Sequence, residues 1–171
     1  MAVIGPAGIR DNGPVQTGSI DGVTVKPLIR HGDQRGYFLE IVRASEGLFS
    51  AGFGQLSWAS RAAGTVTAWH IHPHQWDWWF VPHGTLRVVL HDLRAGSGTF
   101  RRTQEIVLGT DGTDRLVAIP PGVAHGYKVL SDAEILYITS HEYNDAHPAP
   151  PEGEEGRIPA DDPDIGYDWN R

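Results

Sequence analysis

From Val23 onwards the chain alternates short apolar runs with turn signals. VTVKPLI is followed by HGDQRG and YFLEIV, then by GQLSWAS, TVTAWHIH, DWWFVP, TLRVVLHDL, EIVLG, RLVAIP, HGYKVL and AEILYITS. Separators such as HG, AGSG, TDGTD, PPG and SD suit tight backbone geometry. Short runs spaced in this way predict an all-β sandwich or barrel. Residues 44–51 hold the modest helical candidate, SEGLF, enough for one turn or two. Within TVTAWHIH, alternation puts Ala68, His70 and His72 on one face and Thr67, Trp69 and Ile71 on the other. A strand apolar on both sides is covered on both sides. One face is therefore expected to line a cavity, and the other to meet a second sheet or another subunit.

The ends of the chain read differently. Residues 1–20 show little periodicity and are expected to form an irregular arm. From Asn144, Pro and acidic residues dominate, so residues 146–156 read as a solvated stretch. The final DDPDIGYDW carries Ile, Tyr and Trp, which suggests that the 144–171 tail docks back on the barrel. No repeat of solenoid length is visible. A length of 171 residues suits a single domain spanning 1–171.

Composition narrows the function classes. A formal net charge of −7 argues against nucleic acid as the main partner, because phosphate neutralisation needs clustered Lys and Arg. Zero Cys excludes disulfides and thiolate-held metals. No apolar run approaches a membrane span, and the N-terminus lacks a basic leader pattern, so cytoplasmic is the expected location. The cluster Trp69, Trp76, Trp78 and Trp79 reads first as core or interface packing, and second as a stacking platform for a sugar or aromatic ligand.

Candidate chemistry centres on residues 64–84, GTVTAWHIHPHQWDWWFVPHG. His70 and His72 share a strand face, Asp77 follows a short turn, and IPPGVAH supplies His125 behind a Pro-Gly turn. Three imidazoles and a carboxylate suit Fe, Mn, Ni, Cu or Zn. The same residues also fit a plain reading as polar lining of a ligand cavity. Their spacing resembles the two motifs of the cupin superfamily, with Asp where Glu is usual. That resemblance implies a jelly-roll barrel, the double-stranded β-helix.

A closer resemblance covers most of the chain from Asp33 to Trp169. DQRGYFLEIV, FGQLSWASRAAGTVTAWH, LHDLRAGSGTF, IPPGVAHGYKVLSDAEILYITSHEYN and DDPDIGYDW run in the order of the dTDP-4-dehydrorhamnose 3,5-epimerases. This family exchanges protons on carbons flanking the ketone of a nucleotide-linked sugar. The resemblance implies His70 as base, Asp162 as its orienting carboxylate and Tyr137 as acid. It places Arg35, Glu40, Gln55, His125 and Tyr143 at substrate-contacting positions. It further implies a homodimer, a small carbohydrate or nucleotide-sugar substrate and no cofactor.

The departures from the family lie in the site. Asp77 stands where the epimerases carry Lys, His72 where they carry Gln, Thr67 where they carry a phosphate-binding Arg, and Ser57 where they carry Asn. A unit charge about 4 Å from a developing enolate is worth roughly 4 kcal/mol at an effective dielectric near 20, so reversing its sign swings the barrier by about 8 kcal/mol. A divalent ion held by His70, His72, Asp77 and His125 would restore the positive charge, but it would compete with the base role of His70. Three readings therefore stand: an epimerase without cofactor, a metal-dependent cupin oxygenase or isomerase, and a sugar-binding cupin without chemistry.

Overall fold

The computed structural model describes residues 16–110, 114–143 and 156–171. Among these it contains β1 (Gln16–Thr17), β2 (Thr24–Pro27), β3 (Arg30–Asp33), β4 (Gly36–Leu39), β5 (Gln55–Arg61) and β6 (Val66–Ile71). β7 (Asp77–Asp92), β8 (Thr103–Gly109), β9 (Arg115–Ile119), β10 (Val123–Thr139) and β11 (Gly156–Arg157) follow. A single 3-10 turn occupies Ala44–Glu46, within the stretch expected to be helical.

Two long strands organise the rest. β7 and β10 pair antiparallel from Asp77↔Thr139 to Asp92↔Val123. Each serves two sheet halves in turn. The start of β7 and the end of β10 are flanked by β9 and β5, and β2 and β1 extend this half. The end of β7 and the start of β10 are flanked by β8 and β6, with β11 beyond. The halves close on each other around the register shifts near Ser131 and Glu134. The result is an all-β cupin jelly roll, a double-stranded β-helix.

The sequence reading breaks both long strands in two, at HG and at SD. In the structure these positions are bends inside continuous strands. Gly84 sits at φ +75°, and a Cβ there would lie 2.1 Å from the Asp132 carbonyl oxygen, so the strands meet too closely for any side chain. A bulge and a turn call for the same residue types, and only the pairing partner separates them.

Alternation along β7 sets three apolar layers. Trp79, Val81, Leu86, Val88 and Leu90 point inward to the main core, together with Val117, Ile119, Val123, Tyr127 and Ile135. Trp78 and Phe80 point outward from the first half and are covered by Leu39, Ile41, Leu48 and Phe49. Buried Lys26 anchors this cover, donating to the Ile41 carbonyl at 2.8 Å and to Glu46 at 2.7 Å.

The outer face of β6 corrects an expectation. Trp69 is sealed within its own chain. It packs with Trp169, Tyr167, Ile158, Ala160 and Ile165 of the chain's own C-terminal segment. Arg157 of β11 lies opposite His70, and Trp69 and Ile158 exchange both backbone hydrogen bonds, at 2.9 and 3.0 Å. Ala68 also departs from strict alternation and packs with the Trp69 cluster rather than beside the histidines. An irregularity in the β6–β10 register lies between His125 and Tyr127, and a Cβ on Gly126 would approach Ala68 Cβ to 2.6 Å. Residues 16–20 are tied to the barrel through β1 and the buried Ile20, while the rest of the expected arm, 1–15, lies outside the described residues. Residues 144–155, which include most of the stretch read as solvated, lie outside them too.

Candidate active site

Strand parity delivers the polar side chains of the inner face. On β10, His125, Tyr127 and Tyr137 lie in register with inward positions of the core. On β7, Asp77 precedes inward Trp79 by two residues and shares its face. On β5, Gln55, Ser57 and Arg61 are less exposed than Leu56, Trp58 and Ser60 between them. His70 sits directly opposite His125 across the β6–β10 pair. The rings of these two stack at 6.3 Å, and His72, just beyond β6, lies 5.3 Å from the His125 ring.

His72, Asp77 and His125 form the inner knot. Asp77 Oδ2 lies 3.5 Å from His125 Nε2 and 3.8 Å from His72 Nε2. All three side chains are buried. Gln75 Nε2 donates to Asp77 Oδ1 at 2.7 Å, and the indole N–H of Trp79 donates to Oδ2 at 3.2 Å. His125 Nδ1 donates to the Val123 carbonyl at 2.9 Å, which fixes the tautomer. Burial pulls His125 down to about 4 against the attraction of Asp77, and the neighbouring His72 and His70 add to the fall.

A second group occupies the same face. Trp79 makes edge contacts with His125 at 5.1 Å and with Tyr137 at 5.5 Å, joining the imidazoles to the phenols. The Tyr137 and Tyr127 hydroxyls lie 2.8 Å apart, and Arg61 Nε donates to Tyr127 at 3.3 Å. Burial, then the neighbouring Tyr127, pushes Tyr137 well above the usual phenol range. A phenol can give a proton, and a neutral imidazole can take one.

The other sequence candidates sit elsewhere or play visible structural parts. Gln55 donates to Ser57 at 2.7 Å and accepts the Tyr143 amide at 2.9 Å, while the Tyr143 ring is exposed. Arg35 pairs with Asp33 in the β3–β4 hairpin and is exposed. Glu40 pairs with Arg43 at 2.7 Å, next to the cover on the outer side of the first half. The contacts of Arg35 and Glu40 thus place them on the hairpin and its cover rather than on the inner face. Asp162 Oδ1 accepts the amides of Asp164 and Ile165, shaping the tail turn, and its charge reaches His91. Sequence reasoning did not single out Arg61, Tyr127, Gln75 or Trp79 as polar members of the site. For Arg61 the signal was available, since it follows Gln55, Ser57 and Ala59 at every second position of QLSWASR.

Comparison with known proteins places this geometry. The family model described as dTDP-4-dehydrorhamnose 3,5-epimerase matches residues 17–171. The chain is 46% identical to the spore coat polysaccharide biosynthesis protein SpsL of Bacillus subtilis, across 88% of this chain and 97% of that one. It is 32% identical to the dTDP-4-dehydrorhamnose 3,5-epimerase of Mycobacterium tuberculosis, across 85% and 71%. A solved dTDP-6-deoxy-D-glucose-3,5-epimerase of Legionella pneumophila, in complex with dTDP-4-keto-L-rhamnose, superposes with a TM-score of 0.79 at 26% identity, covering 91% and 82%. With its inner-face histidines and phenols carried on this barrel, the chain belongs to the dTDP-4-dehydrorhamnose 3,5-epimerase family, an isomerase family.

Proposed function

We propose that the protein epimerises a nucleoside-diphosphate-linked 4-keto-6-deoxy sugar by proton exchange on a carbon next to the ketone. His70 removes the proton, and Tyr137 returns one from the opposite face of the sugar. The family resemblance assigns the orienting of the His70 ring to Asp162, whose Oδ1 accepts the Asp164 and Ile165 amides in the tail that β11 fastens beside β6. The observation that carries this reading is one inner face holding both His70 and a half-buried Tyr137, linked through His125 and Trp79. The Arg61–Tyr127 pair supports the acid role, because it supplies a charged donor behind Tyr137. Arg61 also provides positive charge beside the two phenols, where Thr67 provides none.

A homodimer fits the surface. Leu56 and Trp58 project from β5 with more than half of their area exposed, as do Tyr37 and Phe38 on β4. Single exposed apolar residues are ordinary, whereas neighbours on one strand mark an interaction face. Trp58→Glu is expected to convert a dimer to a monomer in light scattering; an unchanged mass places the interface elsewhere.

The chemistry is tested by incubating the protein in D2O with a dTDP-linked 4-keto-6-deoxy hexose. Deuterium is expected to enter at C3, C5 or both, and His70→Asn is expected to slow that entry about a thousandfold, within the range of a lost general base. No incorporation with several nucleotide forms of the sugar would rule the reading out.

A further inference from the structure

The inner face holds more chemistry than proton transfer requires. His72, Asp77 and His125 each offer one ligand atom, and these atoms lie within 4.8 Å of one another. The His125 ring carries its proton on Nδ1, where the Val123 carbonyl accepts it, so Nε2 presents a lone pair. That Nε2 is buried, has no hydrogen-bond partner and lies 3.5 Å from a carboxylate oxygen that also has lone pairs to offer. The donors to Asp77, the Gln75 amide and the Trp79 indole, are both neutral. Two buried, electron-rich atoms held face to face fit a cation between them.

We propose that His72, Asp77 and His125 form a divalent transition-metal site, with His70 outside the ligand set and kept for proton transfer. Ligand atoms about 2.1 Å from a tetrahedral ion lie about 3.4 Å apart, close to the observed 3.5 and 3.8 Å. Two imidazoles and one carboxylate on one side of an ion leave further positions open. The surroundings are those of a metal site, because a backbone carbonyl fixes the His125 tautomer and two donors orient the Asp77 carboxylate. His70 stacks beside His125 without joining the three, which separates the base from the ligands.

The role of the ion rests on the epimerase reading. Held by His72, Asp77 and His125, the ion would act as a Lewis acid toward the ketone oxygen of the sugar. His70 takes the adjacent proton, and the C–H electron pair becomes the enolate double bond. Tyr137 then delivers its proton to carbon, the carbonyl re-forms, and solvent restores the proton balance between His70 and Tyr137. Asp77 would thereby supply through a metal the positive charge that a lysine at its position would supply directly.

The test uses full-length protein purified without chelator or polyhistidine tag. Elemental analysis is expected to find about one equivalent of transition metal per chain. Chelated protein is expected to take up one Co2+ with a visible absorption band. Asp77→Asn and His72→Ala should each weaken Co2+ uptake about a hundredfold or more, while His70→Asn should keep it; thermal melts establish that each variant is folded. Less than a tenth of an equivalent together with no Co2+ uptake overturns the site, as does uptake unchanged in both ligand variants. Deuterium exchange separates the two proposals. A loaded protein that exchanges nothing keeps the site and removes the epimerase reading, whereas full exchange in chelated protein removes the catalytic role of the ion.

Discussion

β7 begins and ends with a buried aspartate, and the two live in opposite surroundings. Asp92, at the end, has its lone pairs filled by its own loop: the Arg94 amide and guanidinium, the Ser97 hydroxyl and the Thr99 hydroxyl all donate to it. Asp77, at the start, receives two neutral donors and faces two imidazole nitrogens at 3.5 and 3.8 Å. Burial pushes Asp92 upward, yet the donors from Arg94, Ser97 and Thr99 together outweigh it and hold this carboxyl far below its ordinary value. A buried carboxylate answered by its own loop closes a structure. One held among imidazole lone pairs leaves room for something the chain does not supply.

That contrast makes separable predictions. The largest effect is expected for Asp77→Asn, which should slow deuterium exchange about a thousandfold, the scale of a lost oxyanion stabiliser. In chelated protein its melting temperature should stay within a few degrees of the parent. Asp92→Asn should do the reverse, lowering stability by about 3–5 kcal/mol, as when a buried charge network is broken, with exchange per folded molecule unchanged. Urea unfolding reads both, and a result in which the two variants behave alike breaks the comparison.

Acid sharpens it further. A carboxyl whose folded value is depressed contributes stability above its unfolded value of 3.8, and that stability drains as pH falls toward the folded value. The parent is therefore expected to lose stability below about pH 4 more steeply than Asp92→Asn, measured as melting temperature against pH. A smaller effect is expected at the supporting groups. Thr99→Ala should cost about 1 kcal/mol through one lost hydrogen bond. Gln75→Leu should weaken metal uptake about tenfold while leaving the fold intact.

Much of this was legible in the sequence, and the gaps have physical causes. Period-two alternation is local, so it placed His70 and His72 together and marked the strands. The tryptophans were harder. Trp78 and Trp79 are adjacent in sequence, yet one faces the 39–49 cover and the other the inner pocket. Trp69 belongs to a third layer, sealed by Trp169 a hundred residues later. Which layer a face meets is decided by topology, and topology is not a local property. Arg61 and Tyr127 escaped for a related reason: their partnership spans 66 residues and exists only once β5 and β6 both flank β10. The epimerase resemblance implied His70 as base and Tyr137 as acid but had no slot for Asp77 beside His72. That grouping came instead from the spacing shared with the cupin motifs and from the imidazole and carboxylate chemistry.

The paired amides of Trp69 and Ile158 have a practical use. They lie one residue from His70 on a seam between the barrel and its C-terminal strap, and they hold each other through reciprocal hydrogen bonds. Any ligand that tightens the strand carrying His70 should slow the exchange of both with heavy water. Two NMR cross-peaks then give a binding readout that needs neither turnover nor a labelled sugar, suited to screening nucleotides before the true substrate is in hand.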